Sequence, residues 1–336
     1  MQTKTKSLIQ FVVLLGVGIL LVWLAFRQVA SEKEKIINAF ASADYFWVFI
    51  SSVIGFAAHF LRAYRWKYLL EPLGYKTSLI NANAAVFIGY FANYGLPRMG
   101  ELTRATVIDR YDKVPFQVGF GTVVTERIID FMILIIIFVL TLVFQFTELA
   151  GLSDEYIFSP VKNKLYAFYE KPLLGSIILI ALVGICIALY LYRQKIVSKF
   201  KGKFGDVIKG FIEGLSSVKK MKNIGTFIFL SFLIWSMYFY SLYLCMKALP
   251  ETAVIGHKEC LTLMLFGTLG VAVTPGGLGA YHIIITQILI FYGIAQIPAV
   301  ALPWLVWTAQ FILILILGVL SLILLPVINK KKDVSQ

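Results

Sequence analysis

Arg98, Glu101 and Arg104 stand at three-residue intervals directly after Pro97, inside an otherwise apolar run from Leu79 to Tyr111. At that spacing they share a face of the first turns of a helix that opens at the proline. Ionisable groups in an apolar segment are costly unless paired or wetted, and they mark function by default. Glu101 neutralises one arginine and leaves an excess of positive charge. A helix start adds a partial positive charge and free N–H groups, which suits a phosphate. The competing reading is an Arg–Glu–Arg clamp that only locks the turn, and both readings stand.

A second apolar run, Lys258–Tyr292, breaks at Thr274-Pro275-Gly276-Gly277-Leu278-Gly279. Gly276, Gly277 and Gly279 bring no charge but let backbone approach a ligand closely. His282 follows one turn later, placed either to donate to an anion or to sit in the core. Glu126, Arg127 and Asp130 form a third charged group, with Glu126 and Asp130 four apart on one face. They pair with the first tip's arginines or carry a proton if their helix starts near Pro115. They mark a membrane interface if it starts near Ile128. Arg62, Arg65 and Trp66 read as anchoring residues at the inner end of a span. Asn93, and Asn83 on the same arm, need partners, either a headgroup or the other arm.

The elements that hold these residues must be membrane helices. The chain has 336 residues, 59% of them hydrophobic, with mean hydropathy +0.83. That composition belongs to an integral membrane protein and leaves no room for a separate water-soluble catalytic domain. Six full spans are expected: Ser7–Phe26, Tyr45–Leu61, a stretch ending near Phe146, Pro172–Tyr192, Ile224–Met246 and Val300–Pro326. The first is expected to be retained and not cleaved as a signal peptide. Each arm of the two broken runs is about 20–25 Å of helix at 1.5 Å per residue, so one arm barely crosses a hydrocarbon core of roughly 30 Å.

Charge sets sidedness. The net charge is +13, and nine of the 31 Lys and Arg lie between Arg193 and Lys222. That stretch and Lys330-Lys331-Lys332 belong on the cytoplasmic side. The first broken run then leaves from and returns to the inside, and the second to the outside. Each half, about 1–150 and 151–336, reads span, span, re-entrant helical hairpin, span. The expected fold is therefore all-α: one polytopic transmembrane domain over 1–336, with six spans and two re-entrant hairpins in an inverted repeat. A plain eight-span bundle is the alternative. Two further segments, 197–218 and Tyr156–Tyr169, read as helices lying on the membrane surfaces.

No nucleotide-binding loop, nucleophile elbow or His-Glu-x-x-His motif is present. Cys186, Cys245 and Cys260 sit in apolar runs without metal spacing, and His59, His257 and His282 form no metal motif. No cofactor or metal is expected, nor nucleic-acid binding.

Leu61-Arg62-Ala63-Tyr64-Arg65-Trp66, Asn93 through Arg104, Glu126-Arg127-Ile128-Ile129-Asp130 and Thr274 through Gly279 come in an order that resembles a known family. It is the transmembrane, flippase-like region of bacterial lysylphosphatidylglycerol synthases and its stand-alone relatives. The resemblance covers nearly the whole chain and implies movement of a charged-headgroup lipid between leaflets. With no aminoacyl-transfer domain in these 336 residues, lysyl-lipid synthesis is not expected. His282 stands where many relatives carry an acidic residue.

The reading that follows is a lipid flippase or carrier for an anionic or charged headgroup, a phospholipid or a polyprenyl phosphate. Arg98, Glu101, Arg104, Asn93, Gly276, Gly277, Gly279 and His282 form its substrate-binding set. Glu126, Arg127 and Asp130 balance or couple charge. The expected location is the bacterial cytoplasmic (inner) membrane with both termini inside, and self-association is left open. The rival readings are a membrane-embedded glycosyl- or acyl-lipid transferase and a non-transporting subunit of an envelope-synthesis complex.

Overall fold

Apolar runs punctuated by glycine and proline specify helices joined by tight turns, and the computed structural model of the chain is built that way. It describes residues 33–95, 98–152, 212, 214, 216–218 and 220–333. The expected spans Ser7–Phe26 and Pro172–Tyr192, the surface segment Tyr156–Tyr169 and most of 197–218 lie outside the described residues.

Among the described residues there are helices and no strand. In chain order they are α1 (Lys33–Ala41), α2 (Tyr45–Leu70), α3 (Leu79–Gly95), α4 (Met99–Asp112), α5 (Phe116–Leu152), α6 (Ile224–Cys245), α7 (His257–Val273), α8 (Ala280–Phe291) and α9 (Gln296–Asp333). Among the described residues, four helical stretches are long and apolar enough to cross a membrane: Tyr45–Leu73, Phe116–Gln145, Ile224–Ala248 and Gln296–Lys330. The breaks in the two interrupted runs fall at the glycine- and proline-rich sequences, so α3–α4 and α7–α8 are helical hairpins.

Two boundaries differ from expectation. The helix from Tyr45 does not stop at Leu61 but runs to Leu70. Hydropathy falls at Arg62, yet the arginines here are paired inside the protein, so the helix continues. Lys33–Ala41, between the first two expected spans, is a helix with Ile36 buried in a small apolar cluster with Val300 of α9.

Pairwise contacts fix how the helices run. Ser51 and Ser241 exchange hydrogen bonds with each other's carbonyls at 2.7 and 2.9 Å, and Arg65 reaches Ser231 at 2.8 Å. α2 and α6 are therefore antiparallel neighbours. Helix α9 acts as a spine. Its first part lies against α8, where Thr286 donates to the Ala299 carbonyl at 3.1 Å. Its later part runs antiparallel to α3: a Cβ at Gly318 would meet Phe91, and Asn329 and Asn81 pair their side-chain amides reciprocally at 3.0 and 3.1 Å.

The hairpins thus open toward opposite ends of the molecule. The base of α3–α4 lies beside the finish of α9, where Asn81 also donates to Asp112 at 2.7 Å. The base of α7–α8 lies at the other end, where Gln145 of α5 accepts from Thr262 and Tyr292. Two apolar cores follow the two hairpins, one around Trp66, Leu69, Ile108 and Phe227, the other around Met246, Leu263, Ile285 and Leu289.

Candidate functional site

Glu126 lies ten residues into α5, about 15 Å along it, and Asp130 one turn further. The helix begins at Phe116, so both carboxylates lie within it. Both are buried, and an isolated buried carboxylate is untenable without partners. Arginines from two other helices supply them. Arg104 of α4 grips Glu126 in a two-pronged pair, Nη1 to Oε1 at 3.1 Å and Nη2 to Oε2 at 2.8 Å. Arg62 of α2 donates through Nη1 to Glu126 and to Asp130, both at 2.7 Å. Arg65 donates to Asp130 at 3.0 Å and lies 3.5 Å from Glu126. Charge-assisted, forked geometry of this kind makes strong pairs.

The cluster therefore holds three buried guanidiniums against two buried carboxylates. Aromatic faces take up part of the excess. Arg104 lies over Trp66 at 4.3 Å, Arg65 over Phe227 at 5.4 Å and Arg62 over Tyr238 at 5.8 Å, and a cation over such a ring is attracted to it. Further hydrogen bonds fix the rotamers. Trp66 donates to Thr122 at 2.9 Å, Arg62 Nε to the Tyr238 hydroxyl at 3.2 Å, and Trp235 to Asp130 at 3.4 Å.

The expected anchoring role of Arg62, Arg65 and Trp66 does not match their positions. All three are buried, and the two arginines are the principal partners of the α5 carboxylates. The expected pairing of Glu101 with a neighbour on its own helix is also not what forms. Glu101 meets Arg127 of α5 at 3.1 Å, a pair whose arginine side chain is 37% exposed. Asn93 ties the hairpin arms together, accepting from the Gly100 N–H at 2.7 Å. The arms touch so closely that a Cβ on Gly100 would strike the Gly89 carbonyl.

Arg98 is exposed at the first tip, with φ 64°, a left-handed backbone that a non-glycine residue rarely adopts. No ion pair holds it among the described residues. Across from it, Gly276 (φ 58°) packs against Tyr94: a Cβ there would overlap the tyrosine ring. Trp307 of α9 donates to the Gly276 carbonyl at 2.8 Å and faces Tyr94 edge-on at 6.2 Å. The two tips thus meet beside α9. Gly277 and Gly279 shape the second turn, and His282 is buried behind it against Trp304 and Trp307.

Sequence reading missed Ser231, Trp235, Tyr238, Tyr94, Trp304 and Trp307. Ser231, Trp235 and Tyr238 recur at four and three residues on one face of an apolar helix, a polar stripe that was there to be seen. A groove of about 490 Å³ runs between α5, α6 and α7, from Ile133 and Trp235 to His257 and Lys258, with mostly apolar walls. Along α5 it extends from Ile133 to Phe144, about 16 Å of helix and close to half a roughly 30 Å hydrocarbon core. Among the described residues, no three His, Cys, Asp or Glu side chains gather as metal ligands.

Comparison with known proteins gives a family and distant relatives. The family described as the lysylphosphatidylglycerol synthase TM region matches residues 8–318. A UPF0104 membrane protein of Methanocaldococcus jannaschii is 24% identical over 317 residues, covering 89% of this chain and 91% of its own. A UPF0104 membrane protein of Pyrococcus horikoshii is 21% identical over 318 residues, covering 87% and 90%. The glycosyltransferase AglD of Haloferax volcanii is 23% identical over 289 residues, covering 78% of this chain but only 46% of AglD. No solved structure matches the chain.

Proposed function

The chain belongs to the family of the lysylphosphatidylglycerol synthase transmembrane region, and from that premise we propose that it carries an anionic-headgroup lipid between the leaflets of its membrane. One observation carries the reading. Two helical hairpins enter from opposite ends and touch at Tyr94 and Gly276, in a chain whose buried ionic cluster has one more guanidinium than carboxylate. Paired, interrupted helices in repeated halves are how carriers build a site reachable from either face in turn. In this proposal the hairpins are re-entrant, the halves form an inverted repeat, and the end bearing Lys76, Lys113 and Lys330 faces the cytoplasm. Arg98 is the headgroup cation. The buried cluster is the rigid frame behind it, and the groove between α5, α6 and α7 takes a hydrocarbon tail. The relatives named above are archaeal, so a bacterial host is no part of the proposal.

A membrane-embedded glycosyltransferase is the second reading, favoured by the name of AglD. Against it stand the carboxylates themselves. Glu126 and Asp130 are the carboxylates that such an enzyme would use as a base, and arginines occupy both. A general base must be free to take a proton.

The test is transfer in liposomes with a panel of fluorescent-headgroup lipids. Protein-dependent loss of inner-leaflet protection from an external impermeant quencher for anionic lipids, and not for zwitterionic ones, is the expected result. Equal rates for every lipid, or none above protein-free vesicles, overturns the proposal. Sugar transfer to a polyprenyl phosphate without lipid movement would establish the second reading.

A further inference from the structure

The second tip holds a hydrogen-bond donor with no acceptor among the described residues. His282 is the third residue of α8 and is 1% exposed. The Gly279 N–H donates to its Nδ1 at 3.3 Å. A ring nitrogen that accepts carries no proton, so this neutral imidazole bears its hydrogen on Nε2. Nε2 is buried and finds no partner among the described residues. The ring is walled by Trp304, with centroids 3.8 Å apart, and by Trp307 at 5.3 Å. The Trp307 N–H is already directed at the Gly276 carbonyl.

A buried donor left unmatched is a standing cost to the fold, so the surroundings should say what matches it. A lone water is a poor answer, because an ordered buried water needs about two to four polar partners. The rings packed on it are those of Trp304, Trp307 and Tyr281. An anion fits better. The first turn of α8 leaves the N–H groups of Ala280 and Tyr281 without helical acceptors, and the aligned peptide dipoles add partial positive charge. Gly276, Gly277 and Gly279 approach that turn with φ of 58°, 80° and 80°; Gly277 backs onto Val271 and Tyr281, and the bare backbone of Gly276 is covered by the Tyr94 ring of the first tip, so it is uncovered when the tips part. Donors, a positive helix end and bare backbone together specify an oxyanion.

We infer that His282 Nε2 and the first turn of α8 bind a phosphoryl oxygen of the carried lipid. This rests on the carrier reading, since a ligand reaches so buried a donor only when the two tips part. His282 acts there as a neutral donor, and the phosphate charge is met elsewhere.

The full chain, isotope-labelled at its three histidines, is reconstituted in phosphatidylglycerol vesicles doped with polyprenyl phosphate. Nitrogen–phosphorus dipolar recoupling by solid-state magnetic resonance then reads contact directly. One protonated Nε2 signal should be attenuated by phosphorus, and it should vanish in His282→Gln. In the transfer assay His282→Gln, which keeps a donor, should stay within about threefold of the parent. His282→Phe, which fills the same box and donates nothing, should lose about tenfold or more, the loss expected for a hydrogen bond to a charged acceptor. No attenuation of any histidine in vesicles that show transfer, or unchanged transfer by His282→Phe, overturns the inference and leaves the carrier standing. Attenuation without transfer in the parent protein supports the phosphate contact and sinks the carrier reading instead.

Discussion

Arg98 and Arg104 sit on the same short stretch of sequence and end in opposite surroundings. Arg104 is buried in a forked pair with Glu126 and stacked on Trp66. Arg98 is exposed in a left-handed turn. Arg98→Ala should therefore leave thermal unfolding in detergent nearly unchanged while cutting lipid transfer severely. Arg104→Ala removes the forked partner of Glu126, which keeps Arg62 and Arg65, and should cost about 1.5–3 kcal/mol of stability, the range for a hydrogen bond to a charged group. Equal destabilisation by both would mean that the first tip is only a lock. Glu101 and Arg127 are partly exposed, so a double-mutant cycle on that pair should give about 1 kcal/mol or less. The cycle on Arg104 and Glu126 should give clearly more. The sequence shows the charged residue types but not who meets whom. Arg62 and Arg65 stand beside Trp66 and Lys67 and look like interface anchors until their carboxylate partners, some sixty residues on, are placed against them.

At the scale of elements, the glycine-proline breaks were legible, because proline and glycine at Thr274–Gly279 interrupt a helix and Pro97 does the same in the first run. The length of α2 was not, because hydropathy cannot register arginines that are satisfied inside the protein. Nor was the meeting of the tips, which depends on α9 laying one side on α8 and then another on α3. That contact can be trapped. Cysteines replacing Tyr94 and Gly276 should cross-link on mild oxidation, because a Cβ at Gly276 falls within contact of the tyrosine ring. If the tips separate during transport, the cross-linked protein should be inactive and recover with reductant. Full transfer while cross-linked would show that the tips stay together. Gly276→Ala should impair both folding and transfer. It meets the Tyr94 ring, and its φ of 58° costs an alanine about 1–2 kcal/mol.

Over the whole molecule, basic residues gather at the end where α2 and α9 finish, which is why charge alone suggested a sidedness. Single cysteines at Lys76 and Lys113 should react with an impermeant thiol reagent from one face, and those at Lys247 and Gln296 from the other. Labelling of Lys76 and Lys113 from opposite faces would remove the re-entrant first hairpin and with it the inverted repeat. The reciprocal amide pair of Asn81 and Asn329 sets a constraint of another kind, on the order of assembly. These residues are 248 apart in sequence. At about 5–20 residues per second, roughly 12–50 s of synthesis separates them. Through that interval the base of the first hairpin lacks its closing partner, and Asn81 must be kept satisfied by Asp112, by water at the membrane surface or by the insertion machinery. A ribosome stalled before Asn329 should thus leave α3 and α4 inserted yet open to protease at their base, and release of the last helix should close them.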